Sequence, residues 1–346
     1  MEETMKVGCS RCGANIEFMP ATQKFHCNHC GADSDISEYE KEIITDSDEI
    51  QNYDECTCSS CGAKLIVGEN TTITVCAYCG SNQIIKNKFV GKFKPDEIIP
   101  FQVDQERFIN LYQTFIKKKR FAPDEFRFNT KITQIKGLYV PYHVFILDNK
   151  TYSRGKGYYE SDGRRHDIFF ETKYRMKFIS PQDASIRLND DMMTSLEPFD
   201  FSDLKKFYPA YLNGYSAENG DEDLNKLEKK AWERSAVEIK KLVNKRLEKY
   251  SFCSGKVETT FEQISREYVL LPVWFFSTKY RNKIYNYALN GQTGKVVGKI
   301  PLSQSKFIFL IITTIVLALL IVFIFRISSI LNLSINFGSN HVLYKR

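Results

Sequence analysis

The chain has 346 residues, room for two or three domains, and its 43% hydrophobic and 14% aromatic content excludes a chain disordered throughout. Its net charge of +6 conceals a division: residues 1–85 hold 5 Lys/Arg against 14 Asp/Glu, and residues 86–346 hold 43 against 28. Phosphate binding needs clustered positive charge, so the acidic N-terminal part is a poor nucleic-acid surface.

Met1 to Ser10 has no basic segment followed by an apolar run, so no secretory signal is expected. The first cysteine, Cys9, already lies in this stretch. Cys9-Ser-Arg-Cys12 is followed after 14 residues by Cys27-Asn-His-Cys30, and Cys58-Ser-Ser-Cys61 after 14 residues by Cys76-Ala-Tyr-Cys79. A shift of 49 superimposes every cysteine of the first set on the second, together with Gly13 on Gly62, Ala14 on Ala63 and Gly31 on Gly80.

Two residues between cysteines let a tight turn aim both sulfurs at one ion, and a following glycine supplies the positive φ that closes the turn. Ile16, Phe18 and Phe25 in one copy, and Leu65, Val67 and Val75 in the other, read as the strands of a short hairpin between knuckles. So small a core needs metal to fold. The expectation is two structural Zn²⁺ ions, held by Cys9, Cys12, Cys27 and Cys30 in a ribbon over 7–32 and by Cys58, Cys61, Cys76 and Cys79 in a ribbon over 56–86. Disulfides and an iron–sulfur site are the competing readings. Cys56, His26 and His29 break the repeat and are left out of the ligand sets, and Cys253 stands alone. An acidic linker, 33–55, separates the ribbons.

Residues 87–302 read as an α+β domain with an antiparallel sheet. A helix is expected over 104–120, where Lys117-Lys118-Lys119-Arg120 suits the negative end of the dipole. Strand patterns follow at Gly137 to Leu147, Thr151 to Glu160 and His166 to Ile179, the last two joined by a turn at Ser161-Asp162-Gly163-Arg164. A long helix over 223–249 places Trp232, Ala236, Ile239, Val243 and Leu247 near one face; its nine Lys/Arg are read as solvated or as lying against anionic headgroups. Strands return at Tyr268 to Thr278, Lys283 to Leu289 and Lys295 to Ile300, with a turn at Asn290-Gly291.

No catalytic constellation stands out. His143 and His166 read as structural or solvated. Gly291-Gln-Thr-Gly294-Lys295 lacks the spacing of a nucleotide loop and reads as a turn between strands, which excludes a P-loop motor. A non-enzymatic protein is expected.

Phe307 to Phe325 is 19 residues without charge, 16 of them Phe, Ile, Leu or Val. As a helix it covers about 28 Å, close to a hydrocarbon core of roughly 30 Å. Lys306 and Arg326 bracket it and can reach headgroups. A single transmembrane helix over 306–326 is expected, with a short tail over 327–346. Basic residues flank it evenly, so orientation rests on the thiolates, which need a reducing compartment: residues 1–305 are placed in the cytoplasm at the cell (inner) membrane.

The paired C-x-x-C-G knuckles, Ile98-Ile99-Pro100-Phe101, Gly137-Leu-Tyr-Val-Pro141-Tyr142, Tyr211-Leu-Asn-Gly-Tyr215-Ser, Leu271-Pro-Val-Trp274 and Asn290-Gly-Gln-Thr-Gly-Lys295-Val-Val-Gly298 together resemble a family of bacterial TFIIB-type zinc ribbon-containing membrane proteins that includes the YdjG type. Members often carry a primosomal helicase-like label. The resemblance implies a membrane-stress setting, with PspA-like or flotillin-like protein partners. The function expected is a membrane-anchored adaptor for a cytoplasmic or membrane-associated protein; the alternative is a membrane-tethered nucleic-acid-binding protein using the basic region 86–305.

Overall fold

The computed structural model describes residues 2–40, 55–59, 64–66, 73–75, 82–85, 94–129, 132–186, 188–218, 220–247 and 252–338. After β1 (Glu2–Met5), β2 (Ile16–Met19), β3 (Lys24–Cys27) and β4 (Asp33–Ser34) form a three-stranded sheet in that order. β5 (Glu55–Thr57), β6 (Lys64–Ile66), β7 (Ile73–Val75) and β8 (Asn82–Ile85) join β1 in a second sheet, ordered β6-β5-β1-β8-β7. The N-terminal strand thus skips its own repeat and pairs inside the next one.

The expected linker is structured at both described ends. β4 extends the first sheet, and Tyr39 is buried against Phe25, its hydroxyl 2.8 Å from Ser34 Oγ. β5 begins the second sheet at Glu55. Residues 41–54, with much of the acidic charge, lie outside the described residues.

The α+β domain runs through β9 (Glu97–Ile98), α1 (Gln105–Lys117), α2 (Asp124–Asn129), β10 (Ile132–Ser161), β11 (Arg164–Asp183), α3 (Asp190–Leu196), β12 (Lys205–Lys206), β13 (Ser216–Ala217), α4 (Leu224–Leu247), β14 (Phe252–Tyr280), β15 (Lys283–Asn290) and β16 (Val296–Gly298). Its sheet is built on the order β11-β10-β14-β15-β16, antiparallel throughout that path. α1 starts where Asp104 Oδ1 accepts the Arg107 amide at 2.7 Å and buries Phe108, Tyr112 and Ile116.

Two strands are longer than their sequence patterns. Asp148-Asn149-Lys150 reads as a break, yet β10 continues through it. Arg175 Nε donates to Asp148 Oδ2 at 2.8 Å, Asn149 Nδ2 to the Thr260 carbonyl at 3.4 Å, and Thr151 Oγ1 to Asn149 Oδ1 at 2.6 Å. With partners on β11 and β14 for Asp148 and Asn149, and Thr151 bonded to Asn149 within β10, these side chains have no need to turn the backbone. β14 likewise starts at Phe252 rather than near Tyr268, and pairs with β10 as far as Tyr158. The result is a three-stranded arm whose turn, Asp162-Gly163, has φ of 52° and 71° as a two-residue hairpin requires. At about 3.3 Å per residue, Ser161 lies up to about 95 Å along β10 from Ile132.

α4 also departs from expectation. Leu227, Ala231, Ser235, Ile239 and Val243 are its buried stripe, and Trp232 is 40% exposed. Small residues at Ala231 and Ser235 let the helix lie close to Phe145, Leu147 and Phe178 of the sheet, which an indole on that face would prevent.

The final element, α5 (Gln304–Gly338), is 35 residues long and extends past the expected boundary at Arg326. Over Gln304–Ile327 it is long and apolar enough to cross a membrane, and none of its most apolar stretch is buried against the rest of the chain.

Candidate metal centre

The first ribbon assembles its cysteines from two matching turns. Gly13 N–H donates to the Cys9 carbonyl at 2.8 Å, and Cys9 N–H to the Ala14 carbonyl at 2.7 Å. In the second turn Gly31 donates to Cys27 and Cys27 to the Ala32 carbonyl, both at 2.9 Å. Gly13 and Gly31 sit at φ of 71° and 69°, the conformation that the sequence assigned to them. β2 and β3, paired Ile16 to Cys27 through Met19 to Lys24, bring the turns face to face.

The Sγ atoms of Cys9, Cys12, Cys27 and Cys30 all lie within 4.8 Å of one another, with Cys9–Cys30 at 3.7 Å and Cys12–Cys27 at 3.6 Å. A tetrahedron with metal–sulfur bonds of about 2.3 Å has sulfur–sulfur edges of about 3.8 Å. The donors therefore fit a four-coordinate thiophilic metal. Cys9 and Cys27 are buried, while Cys12 and Cys30 face solvent, so an ion could enter from one side. Arg11 N–H points at Cys9 Sγ from 3.4 Å. The amide of Cys30, then that of His29, holds the Cys27 thiol down at about 6, while, against the Ala14 amide, desolvation and the neighbouring thiols push its partner Cys12 up, so without an ion one proton is shared across the Cys12–Cys27 contact. His26 is engaged elsewhere, its Nδ1 2.8 Å from Asp33 Oδ1.

Of the other four predicted ligands, Cys58 is described and buried. Cys61, Cys76 and Cys79 lie outside the described residues. Among the described residues, the strand pairs β5–β6 and β7–β8 repeat pairings of the first copy. The Gly8–Asn15 bridge that frames the first knuckle recurs, 49 residues on, as Thr57–Lys64. Phe25–Ser34 and His26–Asp33 recur as Thr74–Gln83 and Val75–Asn82.

The first ribbon is seated on the α+β domain. Phe18 and Phe25 pack against Tyr211 with ring centroids 5.4 and 5.8 Å apart, Phe18 N–H donates to the Asn213 carbonyl, and Gln23 Nε2 donates to the Phe101 carbonyl at 2.8 Å. Phe101 in turn stacks on Tyr215 at 4.1 Å and meets Tyr139 and Trp274 edge-on. The sequence motifs other than the knuckles converge here. Gly291 is closed in by the same group: a Cβ on it would stand 2.7 Å from the Phe101 ring and 2.9 Å from Pro272. Asn290 Oδ1 accepts the amides of Gln292 and Thr293, both at 2.9 Å, so Asn290-Gly-Gln-Thr-Gly294 is a self-braced turn packed into the core.

Sequence reasoning did not find the cleft of about 380 Å³ between α3, α4 and the neighbouring strands. Tyr142 and Asp183 line it, and burial pushes the Asp183 carboxyl up to about 7. Arg234 pairs with Glu197 there, and Lys230 with Asp190 at 2.7 Å. Neither histidine singled out earlier belongs to it by contact: His143 rests on Tyr268 at 5.0 Å, where burial lowers it to about 4, and His166 stacks on Tyr159 near the arm tip.

A four-cysteine cluster seated on an antiparallel α+β body that carries one long apolar C-terminal helix defines the class of protein. The chain is 31% identical over 237 residues to the uncharacterized protein YdjG of Bacillus subtilis (strain 168), an alignment covering 64% of this chain and 68% of the relative. It belongs to the YdjG family. No family profile matches the sequence, and no solved structure matches it.

Proposed function

We propose that the chain is a membrane-anchored zinc-ribbon adaptor that holds two structural Zn²⁺ ions and presents its cytoplasmic part to a protein partner. The second ion is supported by the cysteine repeat together with the strand pairings that recur 49 residues on, Thr57–Lys64 for Gly8–Asn15, and Thr74–Gln83 and Val75–Asn82 for Phe25–Ser34 and His26–Asp33. The anchor is α5, whose apolar face turns outward all round. Reduced thiolates favour a cytoplasmic N-terminal part at the inner membrane.

The observation that carries the adaptor reading is the arm. Its hairpin turn lies at the opposite end of β10 from α5, and it exposes Phe169 at 85% and Tyr159 at 40%. Aromatics standing in solvent on a paired, rigid ribbon are anchors for a partner rather than core. The YdjG-type resemblance directs the search to PspA-like or flotillin-like membrane-associated proteins. The test is crosslinking in intact cells followed by purification in mild detergent: a specific protein recovered with the chain, and lost on Phe169→Ala, is expected. Recovery of the chain alone overturns the reading.

The arm also supports the second reading, a membrane-tethered nucleic-acid-binding protein. Arg165 lies over Tyr158 at 4.0 Å and Lys173 over Tyr152 at 5.8 Å, so the arm carries side by side the cations and aromatic rings that contact phosphates and bases of single strands. Micromolar or tighter binding to DNA or RNA that weakens steeply with salt would favour it over the adaptor.

A further inference from the structure

The root of α5 is tied to a surface far from the arm. Ser303 N–H donates to the Phe121 carbonyl at 2.8 Å, and Lys306 Nζ bonds the Ala122 carbonyl at 3.0 Å and Asp124 Oδ1 at 2.6 Å. The α1–α2 loop is thereby held where the apolar helix begins. Arg127 closes the loop from its other side, Nη2 donating to the Lys117 carbonyl at 2.6 Å. Phe126 meets Tyr280 and Tyr285 edge-on at 5.4 and 5.6 Å, which brings the β14–β15 turn, Arg281-Asn282, to the same end of the sheet.

Two kinds of exposed group gather around this root. Lys117, Lys118, Lys119 and Arg120 are all exposed, as are Arg281 and Lys283 on the turn. Among them stand apolar side chains in solvent: Phe121, Phe128, Ile284 and Leu302, from 45% to 73% exposed. The acidic neighbours among the described residues are Asp124, already shared by Lys306 and Arg127, and Glu125, whose Oε2 lies 3.9 Å from Arg281 Nε; both carboxylates are thus taken up, and Lys117, Lys118, Lys119, Arg120 and Lys283 outnumber them. The α1 dipole accounts for a cation in its last turn. It does not account for Arg120, Arg281 and Lys283, which lie outside that helix, Arg120 in the α1–α2 loop and the other two in the β14–β15 hairpin. α4, with its eight Lys/Arg, cannot serve instead, because it packs beside Phe145, about 40 Å along β10 from Ile132.

We propose that the α1–α2 loop and the β14–β15 turn form a collar that binds the phosphodiester headgroups of anionic lipids, with Phe121 and Ile284 set at the boundary of the acyl chains. The collar is continuous with the apolar helix, and its charge is complementary to an anionic leaflet. It rests on the reading of α5 as a membrane span and adds a lipid preference that the span alone does not give. It also fixes the sheet relative to the bilayer, so that the arm projects away from it.

Full-length protein in nanodiscs of phosphatidylcholine, or of phosphatidylcholine mixed with phosphatidylglycerol, tests this by amide hydrogen exchange. In the anionic discs, exchange within 117–129 and 280–285 is expected to slow several-fold, and added salt to reduce the difference. Lys117→Gln, Lys118→Gln, Lys119→Gln and Arg120→Gln together should abolish most of it while β10–β14 exchange is unchanged. Equal exchange in both discs, or full protection in the fourfold variant, overturns the collar and leaves the span standing. A chain that stays soluble after detergent removal overturns both.

Discussion

Phe18 of the first ribbon and Tyr211 of the α+β domain meet edge-on with ring centroids 5.4 Å apart, and both are buried. One hydrophobic core consequently runs from Val7 through Phe25 to Phe101, Trp274 and Leu289. The four-cysteine cluster is a corner of a larger body, so events at the thiolates are coupled to the sheet.

Phe18→Ala should expose that coupling. Removing a buried ring typically costs about 3–5 kcal/mol. Denaturant unfolding of the detergent-solubilised chain, followed by Trp274 fluorescence in a Trp232→Phe background, is expected to shift by that order although Trp274 lies outside the ribbon. Chelation of the metal should produce a shift in the same direction. An unchanged midpoint would mean that ribbon and domain unfold independently.

Two glycines separate backbone conformation from packing. At Gly13 a Cβ meets nothing within 4 Å, so Gly13→Ala costs only its positive φ, roughly 1–2 kcal/mol. Gly291→Ala drives a methyl into Phe101 and Pro272 and should cost more. Thermal unfolding of the two variants side by side ranks them; Gly13→Ala as the more damaging would refute the packing argument.

Asp183 gives a pH signature. Burial raises its carboxyl to about 7 from an ordinary value near 3.8, so the folded state holds the proton more tightly than the unfolded state does. Its contribution to stability is present at low pH and is lost as pH rises toward 7. Asp183→Asn keeps an oxygen for the Ser185 amide, now 3.0 Å from Asp183 Oδ1, and cannot ionise. The variant should gain stability relative to the native chain as pH rises from about 4 to about 7 and hold that gain above pH 7. Parallel pH–stability curves would show that Asp183 is not buried as described.

Arg175 tests the continuity of the arm. Its guanidinium holds Asp148 below the usual carboxylate range, on a strand where Asp148 is otherwise shielded. Arg175→Met leaves that carboxylate without its cation. Hydrogen exchange should then quicken around 146–150 and 174–178, with the ribbon unaffected. Unchanged protection would mean that backbone pairing alone carries β10 through this polar stretch.

Local chemistry is what the sequence settled by itself. A cysteine spacing that recurs with its glycines specifies a knuckle within five residues, which is why the Cys9–Cys12 and Cys27–Cys30 turns and the positive φ of Gly13 and Gly31 were legible. The Asp162-Gly163 turn and the apolar run in α5 were legible for the same reason, since neither depends on a distant partner. Pairing over long separations was decided only in three dimensions. Asp148 and Asn149 look like a break until Arg175 and Thr260 arrive from other strands, and Trp232 looks like core until Ala231 and Ser235 take the sheet. The seat of the ribbon on Tyr211, and the approach of the α1–α2 segment to the β14–β15 turn through Phe126, Tyr280 and Tyr285, have no trace in any local window. They arise because aromatic packing and backbone hydrogen bonds join segments that the chain itself keeps far apart.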